Sequence, residues 1–183
     1  MNRMKLFVIT LLAIAPLCLI AQNNMPLLTM MEGEFPGAAL GHSICSMDFN
    51  GDGLKDLVAL EKHWNPNDTL HMSQQFGRIR FYWGGTAFDN EADYDINGTY
   101  HLQYGMGFLC NAGDLNNDGY EDLCYWGREA QQRTIFIFYG RQVPVATPDY
   151  TMLFPSSEVD HIGYLAPLGD INNDGHDDIG YVL

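Results

Sequence analysis

Beyond residue 21 the apolar residues of the chain fall in short runs broken by glycine and by acidic or amide residues, and no window carries a sustained 3.6-residue apolar period. The run 134–139, Thr-Ile-Phe-Ile-Phe-Tyr, is β-branched and aromatic throughout and stops at Gly140, which marks a strand and its end. The surrounding stretch predicts four short strands, at about residues 107–112, 123–127, 133–139 and 149–154. The chain beyond its N-terminal segment is therefore expected to be all-β.

The pattern repeats. Segments 48–56, 114–122 and 170–178 align without gaps, and each reads Asp-x-Asn-x-Asp-Gly-x-x-Asp, with a glycine seven residues before it at Gly41, Gly107 and Gly163. The first two copies are 66 residues apart and the last two 56. Residues 78–84 align with 134–140 at the shorter offset, as does Asp93-Tyr94 with Asp149-Tyr150. The ten extra residues of the first copy thus lie before Arg78, between about Lys62 and Phe76.

The spacing of the motif points to a hard cation. Counting its first residue as position 1, side-chain oxygens stand at positions 1, 3, 5 and 9: Asp48, Asn50, Asp52 and Asp56; Asp114, Asn116, Asp118 and Asp122; Asp170, Asn172, Asp174 and Asp178. Position 7 is Leu54, Tyr120 or His176, three unlike side chains, as expected where only the backbone carbonyl binds. Such a set wraps Ca2+, which takes six to eight oxygens, better than Mg2+. The glycine at position 6 is expected at positive φ, where the chain turns sharply. Positions 2 and 10 are always apolar (Phe49 and Leu57, Leu115 and Leu123, Ile171 and Ile179), so each loop is expected to be pinned to a core at both ends. An EF-hand is excluded, because its position-12 glutamate is replaced by Ala59, Tyr125 and Tyr181 and strand-like sequence stands where its helices would be. An unmetallated turn would leave three carboxylates per loop in mutual repulsion, so about three Ca2+ sites are expected.

The unit formed by a glycine-led strand, the acidic loop and a strand ending in aromatic-Gly resembles the FG-GAP repeat of integrin alpha-subunit β-propellers and of many exported bacterial proteins. The likeness covers about residues 25–183, although Leu40-Gly41, Met106-Gly107 and Ile162-Gly163 stand where Phe-Gly is usual. It implies that each repeat is a propeller blade of four antiparallel strands, with Ca2+ held between the first two. On that basis residues 22–40 supply the outer strand of a preceding or closing blade, 41–106 and 107–162 are two full repeats, and 163–183 is a third, truncated one. Propellers close with four to eight blades, so the expectation is an incomplete propeller from a longer parent chain whose further blades complete it, with closure by self-association as the other route. A truncated third repeat should leave apolar side chains exposed.

Composition sharpens this picture. With 46% hydrophobic and 13% aromatic residues the chain can bury a core, which excludes disorder. Its 9 Lys+Arg against 23 Asp+Glu, a net charge of −14, exclude nucleic acid as a partner. Arg3 and Lys5, the apolar run 6–20 and Ala21 before Gln22 predict a cleaved signal peptide over 1–21 and a secreted, cell-surface or periplasmic protein. The run is short for a membrane span; an uncleaved anchor is the alternative, and lipidation at Cys18 is disfavoured by the preceding Pro16 and Leu17. Cys45, Cys110 and Cys124 remain as an odd set, expected as buried free thiols in preference to a 110–124 bridge. The six histidines do not cluster and there is no Cys-x-x-Cys, so no zinc site is expected.

Hydrolase signatures are absent, and Asp89 with Glu91 has no partner at glycosidase spacing. The reading is a non-enzymatic module for adhesion or recognition of a protein or glycan. In a four-stranded meander the insertion joins strands 2 and 3, so it should rise from the end opposite the acidic loops and carry His63, Trp64 and His71 as candidate ligand-binding residues. The alternative is the N-terminal part of a propeller-based polysaccharide lyase or hydrolase whose catalytic residues lie outside this chain.

Overall fold

The computed structural model describes residues 29–35, 37–66, 75–86, 88–105, 107–129, 132–154 and 164–181. The predicted signal peptide 1–21, His71 and Gly163 lie outside these residues. The chain divides into the units Met1–Met30 and Met31–Leu183, and the architecture that follows is that of the second.

Strands β1 (Leu40–Met47), β2 (Asp56–Glu61), β3 (Arg78–Tyr82) and β4 (Tyr94–Asn97) form an antiparallel meander in the order β1-β2-β3-β4. Strands β5 (Leu109–Asn111), β6 (Leu123–Glu129), β7 (Gln132–Phe138) and β8 (Tyr150–Phe154) repeat it, and β9 (Leu165–Gly169) pairs with β10 (Asp178–Tyr181). These are propeller blades: two of four strands and, among the described residues, two strands of a third. The described residues between 31 and 39 carry no strand. The ten-residue difference between the repeats sits where the alignment puts it. The first blade joins its second and third strands through residues 62–77, and the equivalent stretch of the second blade is 128–133, ten residues shorter, most of which β6 and β7 take up by running two residues further each.

The blades stack face to face, which follows from the period-2 alternation of their central strands. Along β6, Leu123 and Tyr125 pack towards the first blade, with Phe49, Val58, Leu60, Ile79 and Phe81, while Cys124 and Trp126 pack the other way, beside Leu165 and Ile179 of the third repeat. Strand β7 does the same, with Phe136 and Phe138 on one side and Ile135 and Ile137 on the other. A strand buried on both faces reads as a near-continuous apolar run, as Ile135-Phe-Ile-Phe138 does. Tyr104, buried beyond the end of β4, fills the first interface edge-on against Tyr125 and Phe136 at ring distances of 5.5 Å each.

Strand β5 starts at Leu109, two residues later than its sequence indicates. Gly107 donates its N–H to the Tyr125 hydroxyl at 2.9 Å, outside the ladder, and a Cβ there would lie 1.6 Å from the Trp126 carbonyl oxygen. Cys110 and Cys124 are direct register partners across β5 and β6, and both are buried free thiols, whereas Cys45 is half-buried. Burial pushes all three thiols up, that of Cys45 to about 12. Around the third repeat Tyr164, Leu168, Ile171 and Tyr181 are exposed. The exposure of Ile171 corrects the expectation that position 2 is always pinned. Phe49 is buried and Leu115 half-buried because the following repeat covers each, and no described strand follows β10 to do the same for Ile171.

Candidate functional site

Each acidic loop closes the hairpin between the first and second strands of its blade, at 48–55, 112–122 and 170–177. The three share one internal hydrogen-bond pattern. In the first, the Asp52 N–H donates to Asp48 Oδ1 at 3.1 Å and Asn50 Oδ1 at 3.0 Å, Gly53 N–H to Asp48 Oδ2 at 2.9 Å, and Leu54 N–H to Asp52 Oδ1 at 2.8 Å. The second repeats it through Asp118, Gly119 and Tyr120, and the third through Asp174, Gly175 and His176. Successive N–H groups thus draw the oxygens of positions 1, 3 and 5 onto one concave stretch of backbone. The turn is possible because position 6 sits at φ +85, +91 and +91 in Gly53, Gly119 and Gly175. Position 4 is left-handed as well, with Gly51 at φ 73, Asn117 at 57 and Asn173 at 60. No expectation attached to position 4, although its choice of glycine or asparagine, the residues that tolerate this region, was a visible signal.

Position 9 does a second job. Asp56 is buried and accepts from Phe49 N–H at 3.0 Å and Gly84 N–H at 2.9 Å; Asp122 accepts from Leu115 N–H and Gly140 N–H, both at 2.8 Å. It therefore ties the start of its own loop to the aromatic-Gly end of the third strand. That glycine admits no side chain, since a Cβ at Gly140 would lie 2.5 Å from the Glu121 carbonyl oxygen. Asp178 has one such bond, from Ile171 N–H at 3.1 Å, and is half-buried.

The electrostatics follow from this packing. Burial raises the carboxyl of Asp122 to about 6, against the opposing pull of its two N–H donors, and the charges of Asp118 and Asp114 add to the rise. Burial raises Asp56 in the same way. Exposed Asp174 is lowered by the His176 N–H it accepts from. No ion pair among the described residues engages any of the nine loop aspartates. Nor do three His, Cys, Asp or Glu side chains of the described residues gather as a ready ligand cluster, position 9 being turned towards the backbone. An ionised carboxylate has about four acceptor directions, so one N–H per oxygen leaves Asp56 and Asp122 able to take a cation as well. The donor set is all oxygen and uncompensated, which fits a hard divalent ion.

Position 8, to which the repeat pattern assigns no role, joins neighbouring loops. Glu121 Oε2 accepts the Asp48 N–H, and Asp177 Oδ2 accepts the equivalent Asp114 N–H at 2.8 Å. Their own N–H groups donate back to the Asp48 carbonyl at 3.4 Å and the Asp114 carbonyl at 2.9 Å. Glu121 is also held by Lys55 Nζ at 2.6 and 2.7 Å and by Asn111 Nδ2 at 3.2 Å. Burial would raise its carboxyl, but the Lys55 contact and the Asp48 N–H outweigh it and the group lies below its ordinary value.

The described ends of the insertion, 62–66 and 75–77, leave β2 and enter β3 at the end opposite the loops. His63 Nδ1 is 2.8 Å from the Gly37 carbonyl oxygen. Trp64 is half-buried: its Nε1 donates to Glu34 Oε2 at 3.1 Å, and the Arg78 guanidinium lies over its ring at 5.2 Å. Arg78 in turn pairs with buried Glu61, with Glu34 at 3.0 Å and with Asp95 at 3.4 Å. Trp64 is thus held between Glu34 and Arg78 of β3, and His63 lies against the segment before β1, while candidate His71 lies outside the described residues.

Stacked four-stranded blades with an acidic hairpin loop at one end define a propeller-type repeat protein. The FG-GAP-like repeat family matches residues 48–125. Integrin alpha-4 of Xenopus laevis is 25% identical over 171 residues, 86% of this chain and 16% of that protein. Integrin alpha-PS5 of Drosophila melanogaster is 32% identical over 118 residues, 63% of this chain and 11% of that protein. These matches support an FG-GAP repeat protein of integrin-alpha-like propeller type, and the chain spans a small part of the length of these curated relatives.

Proposed function

We propose that this chain is a calcium-binding, non-catalytic propeller module that recognises a protein or glycan ligand outside the cytoplasm, with Ca2+ in a structural role. The observation that carries the reading is the threefold recurrence of one loop geometry, with carboxylate and amide oxygens gathered on backbone N–H groups and, among the described residues, no cationic side chain paired with them. Each ion would be held by positions 1, 3, 5 and 9 and the position-7 carbonyl: Asp48, Asn50, Asp52, Asp56 and Leu54 in the first loop and their equivalents in the others. The ion supplies charge neutralisation and cross-links the two strands of the hairpin. Similarity to integrin alpha subunits supports an extracellular binding role.

Outside the loops several acidic residues are held by arginines, whereas Asp89, Glu91 and Asp93 line one cleft beside Trp83. Glu61, Glu34 and Asp95 are taken up by Arg78, and Asp149 by Arg141 at 2.6 Å. Recognition is assigned to the 62–76 insertion, where Trp64, held in place by Glu34 and Arg78, offers a rigid aromatic surface on the same insertion as His63 and His71.

Calorimetric calcium titration of the full chain tests the reading. About three ions per chain are expected, and none in the triple variant Asp52→Ala, Asp118→Ala, Asp174→Ala. Absence of uptake by the unsubstituted chain overturns it.

A further inference from the structure

The two junctions between neighbouring loops are built alike. At each, the position-8 carboxylate of the later loop accepts the N–H of the first aspartate of the earlier loop, and the position-8 N–H returns to that aspartate's carbonyl. The position-7 side chain of the later loop also reaches the earlier one. The Tyr120 ring lies against Gly51, where a Cβ would come within 2.3 Å of it, and at the second junction His176 Nδ1 is 3.1 Å from the Leu115 carbonyl oxygen. The first aspartate is half-buried where a later loop clasps it, at Asp48 and Asp114, and exposed at Asp170, which no described loop follows.

We propose that Glu121 and Asp177 are positioning residues, through which each loop sets the calcium affinity of the loop before it. The inference rests on the calcium reading of the loops. The first aspartate supplies two oxygens to the loop's internal hydrogen bonds, so fixing its backbone from both sides orients the carboxylate before an ion arrives. A preorganised ligand loses less freedom on binding. The coupling has a direction, from the third loop to the second and from the second to the first. Lys55, at position 8 of the first loop, turns instead to Glu121 and locks that carboxylate on the junction.

The test is calorimetric calcium titration of the full chain with one loop left open at a time. In the background Asp118→Ala, Asp174→Ala, only the first loop can fill, and Glu121→Ala is expected to weaken it about tenfold, the worth of a charge-assisted hydrogen bond. Glu121→Gln, which keeps an acceptor oxygen, is expected to restore most of that loss. In the background Asp52→Ala, Asp174→Ala, only the second loop can fill; there Asp177→Ala is expected to weaken binding about tenfold and Glu121→Ala to leave it unchanged. A general loss of structure would weaken both loops alike. The coupling is overturned if Glu121→Ala leaves the first loop unchanged or weakens the second equally, and the Asp177→Ala arm decides if Glu121→Ala does not fold. A chain that takes up no calcium overturns the calcium reading itself, whereas three ions with no effect on the preceding loop overturn the coupling alone.

Discussion

The second and third acidic loops have the same internal geometry and different surroundings. Gly119 N–H meets Asp114 at 2.8 Å and Gly175 N–H meets Asp170 at 2.9 Å, with φ +91 at both glycines. Yet Asp122 is fully buried between two backbone donors, one of them just past the end of β7, whereas Asp178 is half-buried with one. Leu115 lies under the third repeat, and Ile171 is 70% exposed. The turn is thus a local object that nine residues specify, while its anchoring to the blade and its charge balance come from strands and loops elsewhere in the chain.

The largest expected difference between the two loops is in stability. Asp122→Ala strands the Leu115 and Gly140 N–H groups and should cost about 3 kcal/mol, whereas Asp178→Ala should cost well under half as much. Chemical denaturation in calcium-free buffer measures both, and equal losses would break the contrast.

A smaller effect concerns pH. The Asp122 carboxyl is raised to about 6 in the folded chain and titrates near 3.9 when unfolded. Between those values the folded state binds more protons, so calcium-free stability should fall as pH rises from about 4 to about 6 and level off above. Asp122→Asn should remove the larger part of that slope, with Asp56 retaining a share. Denaturation midpoints across that range check the sign, and a rise with pH in calcium-free buffer would contradict it.

The smallest effect is an expected equality. A Cβ at Gly119 would meet nothing within 4 Å, and one at Gly175 only the Asn117 side-chain nitrogen at 3.7 Å, an ordinary contact. The cost of Gly119→Ala and of Gly175→Ala is then that of holding an L-residue in the left-handed region, about 1 kcal/mol in each. Unequal costs in thermal melts would mean that the turn is less local than its hydrogen bonds indicate.

Much of this was legible before the structure. Strands β6, β7 and β8 fall within a few residues of the runs that predict them, because β-branched and aromatic runs ending in glycine leave little other choice. The left-handed glycine at position 6 was legible for the same kind of reason. The clasp of Glu121 on Asp48 was not, since the partners are 73 residues apart and no period in the chain relates position 8 of one loop to position 1 of another. The anchoring of Trp64 by Glu34 and Arg78 was hidden likewise, because a tryptophan in a polar insertion reads the same whether it is free or held.

The sequence by itself determined the repeat, the all-β class and the oxygen-rich loops, since each depends on residues close together in the chain: alternation sets a strand, and an aspartate, an asparagine and two residues tolerant of positive φ set the turn. The tertiary structure alone decided which aspartates are buried, which loop leans on which, and which apolar residues are covered. Those outcomes depend on the dielectric and the hydrogen-bond donors around a side chain, and both are supplied by blades packed against it from distant parts of the chain.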